Sequence, residues 1–564
     1  MSIFNLILKI IGQITFVIIF FSTLQAKNLD KFSEADHVSD YFSGILLLNN
    51  NQYNESFKFL KKLKGLEESH TDYSVKYLYS LVNSGNLNEA FNYSKKLEKK
   101  NLESFESHLI IGIFYLKNSN LKLAKKYFLK AKNKNSKFIL NNYVSNSLYN
   151  WSSLNSEDFN KATLELKKLD KKFENLKKIQ NVFLNCFYNN SNTSKLFIEL
   201  SSNKKTDFSR YNYFHASYAV SSGDINSAKN IVQSALKLYP RNLLLNQYKI
   251  DLNLNKNIDT FSCKEENHIV AEILYITANA LSSQLIYPLS NFYLNLAKFL
   301  NEDFYSFDTL LAENFYKTDD YENAKKAYKN LSKKGEAFKW HSTKQLSRIF
   351  IQEERASEAI KLTRSAYKDL DSKEVYETFD FAEFLKNNEQ FEESILYYTE
   401  VLDYIKKDHP LYSKTTDGRG IAHEKTGEWD KAEKDLLASL NADPNQAYVI
   451  NYLAYSWIEQ GVKIKQSLNM LEKANKLKSN DPFIIDSLGW ALFKLERYKE
   501  SKDHLQMAVR LMPGDPIVND HYGDALWKNG NELQARYYWN YVLNLEETDE
   551  YLKKIINKKL IRGL

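Results

Sequence analysis

The chain is poor in cysteine, proline and glycine, with 2, 7 and 16 of them among 564 residues. Two cysteines, Cys186 and Cys263, are too few for a disulfide framework, and neither has partners at metal-ligand spacing. They are expected to be buried thiols that act as small hydrophobes. So little proline and glycine disfavours an all-β fold, whose many tight turns use both, and favours helices. Catalytic motifs are missing too. His423-Glu424 lacks the second histidine of a zinc-protease helix, and there is no Gly-x-Ser-x-Gly, no P-loop and no Cys-x-x-Cys. Gly418-Arg419-Gly420 opens a helix rather than closing a strand, so it makes no dinucleotide site. No enzyme activity, cofactor or metal is expected. Nor is charge of one sign in large excess. A net +7 over this length is not the clustered basic face that nucleic acid requires.

What is present is apolar and periodic. Hydrophobic residues make up 43% of the chain and aromatics 14%, which excludes a disordered polymer. Residues 482–543 read PFIIDSLGWALFKLERYKESKDHLQMAVRLMPGD and then PIVNDHYGDALWKNGNELQARYYWNYVL. At an offset of 34, Gly489 falls on Gly523, Leu492 on Leu526, Ser501 on Ala535, Leu505 on Trp539 and Ala508 on Val542. Small residues let two helices approach, large ones fill what remains, and Pro513 stops the second helix. One such pair cannot bury its own apolar face and must stack on neighbours. This pattern resembles the tetratricopeptide repeat (TPR). The resemblance implies an all-α, right-handed α-solenoid of about twelve helix–turn–helix units.

The marks can be followed along the chain. In a block at 41–138 they fall on Gly44, Leu78 and Gly112, with partners Ser56, Ala90 and Ala124. Residues 139–210 keep helical spacing of apolar residues but lose the small marks, and read as degenerate hairpins. A unit returns at Ala216 with Ala228, and the irregular stretch after it, to about residue 270, reads as an insertion or broken repeat. From 271 to 546 the marks are Ala278, Ala312, Ser347, Ala382, Gly420, Ala454, Gly489 and Gly523, in steps of 34 or 35 with one of 38.

The two ends differ from the repeats. Residues 1–26 carry Lys9, an apolar run and Leu24-Gln25-Ala26, and read as a secretory signal peptide. The alternative is an uncleaved anchor, since 3–24 approaches the roughly 20 residues that span a bilayer. No cysteine follows for lipid attachment. Either reading puts the body of the protein outside the cytoplasm, in the periplasm or facing it from the membrane. Residues 547–564 read as a basic capping helix. Leu552, Ile555, Ile556 and Leu560 form one face, and Lys553, Lys554, Lys558, Lys559 and Arg562 lie off it. That helix either solubilises the open end of the solenoid or lies on an anionic membrane surface.

The functional surface of such a solenoid is its concave face, lined by the first helix of each unit. With Gly489 as the eighth position, the fifth reads Asp417, Asn451, Asp486 and Asp520. The ninth reads Ile421, Tyr455, Trp490 and Asp524, and the twelfth Glu424, Ile458, Phe493 and Trp527. Asp417, Asn451, Tyr455, Asp486, Trp490, Phe493, Asp520, Asp524 and Trp527 are therefore the candidate protein-binding residues, an aromatic and acidic set suited to a peptide or protein partner. The alternative is that the aromatics pack between helices and the acids are solvated. The family's co-chaperone clamps hold Lys and Asn here to grip a carboxylate, and this segment lacks those basic residues.

The motifs Glu428-Trp429-Asp430-Lys431-Ala432-Glu433, Asn451-Tyr452-Leu453-Ala454-Tyr455-Ser456-Trp457, Asp486-Ser487-Leu488-Gly489-Trp490 and Asn519-Asp520-His521-Tyr522-Gly523-Asp524 also resemble a TPR family of alphaproteobacteria. The resemblance covers about 415–545, and Ala454 stands where that family usually has Gly. It implies a non-catalytic interaction scaffold of the cell envelope. The alternative is a non-catalytic subunit that anchors an envelope enzyme for glycan or peptidoglycan processing.

Overall fold

The computed structural model describes residues 35–134, 139–154, 159–202, 207–256 and 260–564. The proposed signal peptide or anchor lies outside the described residues. Among them there are thirty α-helices and no strand, arranged mostly as consecutive antiparallel pairs. The fold is an all-α solenoid.

Each pair is built around one close approach. The small residue of the first helix sits against the large residue sixteen later on the second. A Cβ built on Gly489 would meet Leu505 Cγ at 2.6 Å, and one on Gly523 would meet Trp539 Nε1 at 2.5 Å. Gly44 stands in the same relation to Leu60, Gly112 to Phe128 and Gly420 to Leu436. In two pairs the small residue twelve positions on is a serine that bonds across to the first helix. Ser56 Oγ donates to the Gly44 carbonyl at 2.8 Å, and Ser290 Oγ to the Ala278 carbonyl at 2.8 Å.

The turn inside each pair is equally regular. Seven residues after the small mark the backbone enters the left-handed region. Gly427, Gly461 and Gly530 do so without strain, whereas Asp319, Glu389 and Glu496 do so with a Cβ. First helices of later repeats begin on Asp-Pro. Asp481 accepts from the Ile484 N–H and Asp515 from the Val518 N–H, with Pro482 and Pro516 in the first turn.

The chain divides into two compact units, one up to Leu370 and one from Asp371. In the first unit, the helix Leu243–Asn253 has no partner helix directly after it and packs instead on Glu336–Gln352, where Gln247 accepts from the Ala337 N–H. The pair Glu266–Ser283 and Tyr287–Leu300 turns back onto the N-terminal repeats. Asn83 donates to the Pro288 carbonyl at 3.0 Å and accepts from Asn295 at 3.2 Å. Phe292 packs edge-on to Tyr79, and Phe299 stacks on Phe114. A buried polar chain runs from Ser282 through Asn314 and Asn291 to Tyr53, with links of 2.6, 2.7 and 2.6 Å. Nearby, Arg210 makes a two-pronged pair with the fully buried Glu272, and its guanidinium lies 4.0 Å from the Tyr275 ring centre.

Cys186 and Cys263 form a disulfide, with Cα atoms 6.0 Å apart. This corrects the expectation of two free thiols. Helix Glu174–Phe187 ends where the chain preceding Glu266 returns, and Lys264 donates to the carbonyls of Cys186 and Phe187 to hold the two together.

The close approach can be tested directly. Gly523→Ala forces Trp539 to move and is expected to lower unfolding stability by about 1–3 kcal/mol in urea titration. Gly514→Ala, where a Cβ meets nothing within 4 Å, is expected to leave the urea midpoint unchanged.

Candidate protein-binding groove

The second unit holds five helix pairs, from Val375–Asn387 with Phe391–Tyr404 to Pro516–Lys528 with Glu532–Leu543, followed by the helix Glu550–Arg562. The candidate residues all lie on first helices of this unit. None of the nine is exposed. Asp417, Asn451, Tyr455, Phe493 and Trp527 are half-buried, and Asp486, Trp490, Asp520 and Asp524 are buried.

These side chains are brought together as two linked clusters. In the first, the His521 ring lies flat on Trp490, with centroids 4.0 Å apart and planes 12° from parallel, and Phe493 stacks on Trp490 as well. Nδ1 of His521 is 3.0 and 3.1 Å from the two oxygens of Asp486. The Trp490 indole N–H donates to Glu459 at 2.7 Å. Burial works against charge on His521, but Asp486 and the neighbouring Asp520 and Asp524 outweigh it and raise its pKa.

In the second cluster, Lys559 from the Glu550–Arg562 helix reaches back to donate to Asp520 at 2.6 Å and to Asp524 at 2.7 and 2.8 Å. Asp524 also accepts from the Trp539 indole N–H at 3.0 Å. Burial, reinforced by Asp520 and opposed by Lys559, pushes the Asp524 carboxyl up to about 6. Asp486, Asp520 and Asp524 are thus neither solvated nor free. His521 and Lys559 neutralise them inside the stack. Trp490 packs between helices, and Trp527 lies beneath the C-terminal Gly563.

Asp417 stands apart. It makes no hydrogen bond among the described residues, and burial, with Glu383 nearby, pushes its carboxyl up to about 6.

The accessible part of this face is one the candidate set omits. Tyr448, Phe483 and Ile517 hold the second position of three consecutive first helices and are 54%, 54% and 42% exposed. The Tyr448 hydroxyl donates to Asp481 at 2.8 Å. The signal was readable, because the steps of 35 and 34 between these residues repeat those between Ala454, Gly489 and Gly523. Among the described residues no group of His, Cys, Asp or Glu could hold a metal ion. No described helix is long and apolar enough to cross a membrane.

The Asp417 carboxyl yields a pH prediction. Its folded pKa lies above its unfolded one, so its contribution to stability is complete below about pH 4 and is lost as pH rises through about 6. Asp417→Asn removes that loss. The variant is expected to exceed the native chain in stability by about 1–3 kcal/mol at pH 7.5, with the difference shrinking toward pH 4, in urea titrations across that range.

Residues 295–548 match the family model described as Tetratricopeptide repeat. A TPR repeat-containing protein of Pseudomonas aeruginosa is 31% identical over 114 residues, which cover 20% of this chain and 18% of that protein. Among solved structures, MamA from Desulfovibrio magneticus RS-1 aligns at 19% identity over 31% of this chain and 97% of its own, with a TM-score of 0.28. YrrB, titled a TPR protein with an unusual peptide-binding site, aligns at 16% identity over 33% of this chain and 92% of its own, also at 0.28. The family match therefore covers a little under half of the chain, within residues 295–548.

Proposed function

We propose that this chain is an exported, non-catalytic interaction scaffold of the cell envelope, which holds a peptide or protein segment along the inner face of its second unit. The observation that carries the reading is the row of Tyr448, Phe483 and Ile517. Three large apolar side chains recur at the repeat pitch and are open to solvent, with half-buried Asn451, Tyr455 and Phe493 on the same helices. A row of apolar anchors beside hydrogen-bonding groups is the composition that peptide grooves use. The buried Asp486, His521, Trp490 and Lys559 set plays a different part. It locks neighbouring repeats in register so that the row is held rigid.

Export is supported by two independent features. One is the apolar segment at 1–26. The other is the disulfide between Cys186 and Cys263, because disulfides persist in oxidising compartments and are rare in the cytosol.

The groove is tested by changing the row and leaving the core alone. A chain with Tyr448→Ser, Phe483→Ser and Ile517→Ser is expected to keep its unfolding midpoint and to lose a partner that the native chain captures from envelope extract. A folded variant that keeps every partner overturns the groove. Export is tested separately. Protein recovered from the periplasm is expected to resist thiol alkylation until it is reduced. The Cys186→Ser, Cys263→Ser chain is expected to be less stable by about 2–5 kcal/mol.

A further inference from the structure

The helix Glu550–Arg562 has one face already committed. Leu552 and Ile556 are buried in the core around Trp539, and Lys559 is held by Asp520 and Asp524. This fixes which residues point away from the protein. Lys554, Lys558 and Arg562, four residues apart, form a ridge on the outer side, and all three are exposed. None of them forms an ion pair among the described residues. Lys553 beside them is paired with Glu550.

Apolar side chains are exposed around the ridge. Ile561 is 79% exposed on the same helix. The adjoining helix Glu532–Leu543, tied to the first where Arg536 donates to the Leu560 carbonyl, shows Leu533 at 84% and Tyr537 at 68%. The corresponding residues one repeat earlier are Lys499 and Asp503. The preceding repeat is thus polar at both positions, whereas the last one is apolar at both.

We infer that this end of the second unit docks on an anionic bilayer surface. The partner's chemistry follows from the residues. Three unpaired cations on long aliphatic stems meet lipid phosphates, and Leu533, Tyr537 and Ile561 enter the boundary between headgroup and acyl chain. Tyrosine is suited to that boundary because its ring is apolar and its hydroxyl stays wet. Each cation near an anionic surface strengthens binding about fivefold, and the effect falls with salt within a Debye length. The contact is reversible and peripheral and leaves the row of Tyr448, Phe483 and Ile517 unused, so it stands independently of the groove.

The test is co-sedimentation of the full chain with phosphatidylcholine vesicles, with and without phosphatidylglycerol. It is run beside the Lys554→Gln, Lys558→Gln, Arg562→Gln chain. The comparison cancels any contribution from residues 1–26, which both chains share. The native chain is expected to bind the anionic vesicles more tightly than the neutral ones, and added salt is expected to erase the difference. The triple variant, with an unchanged unfolding midpoint, is expected to lose at least about tenfold of the anionic binding. A second chain with Leu533→Ser and Tyr537→Ser is expected to lose binding while keeping the salt dependence. Equal binding to both vesicle types overturns the inference, as does an unaltered triple variant. So does an acidic soluble protein that binds the ridge when vesicles do not.

Discussion

Everything in the repeat depends on the two helices of a pair coming close enough for a small residue of one to lie directly against a large side chain of the other. That distance is possible only where one residue lacks bulk. Where the residue is Gly, as at Gly489 and Gly523, Leu505 and Trp539 fill the space a side chain would have taken. The pair then has a fixed angle, and a fixed angle repeated along the chain gives a solenoid. The left-handed residue seven positions on follows from the same constraint. With the helices that close, the reversal between them must be short, and a short reversal needs one residue with positive φ. Glu389 and Glu496 accept that conformation although they carry a Cβ. Packing of the pair outweighs the local preference of the turn residue.

Much of this architecture was legible in the sequence, because a repeat writes its packing rule many times. Gly489, Ser501 and Leu505 name the contacts of one pair, and the offset of 34 carries them to the next. Of the fifth, ninth and twelfth positions, the structure gathers Asp486, Trp490 and Phe493 around His521, and Asp520 and Asp524 around Lys559. Periodicity states which way a side chain points, but it does not say what lies on top of it. Asp520 and Asp524 were readable as an acidic pair, yet Lys559 comes from a helix outside the last full repeat. His521 sits at the sixth position, outside the set of inward positions considered, and it turns Trp490 from an anchor into a stacking partner.

The first unit was less legible for a related reason. Its defining contacts join residues that no period connects. Asn83 meets Pro288 and Asn295, Tyr53 meets Asn291, and Cys186 meets Cys263. Each is a single event written once. A buried asparagine in particular looks like a loop residue until its partners are known, because its composition signal is polar and its cost is offset only by specific hydrogen bonds.

The return of Tyr287–Leu300 onto the N-terminal repeats has a consequence for how the chain matures. A simple repeat array can consolidate one unit after another, since each needs only its neighbour. Here the pairs around Tyr79 and Phe114 wait for Phe292 and Phe299, about two hundred residues later in the chain. Until that segment has been synthesised, the aromatic surface of the early repeats around Tyr79 and Phe114 lacks the side chains that cover it. During that interval the nascent chain is exposed to aggregation and dependent on holding factors, so the order of arrival matters as much as the final packing.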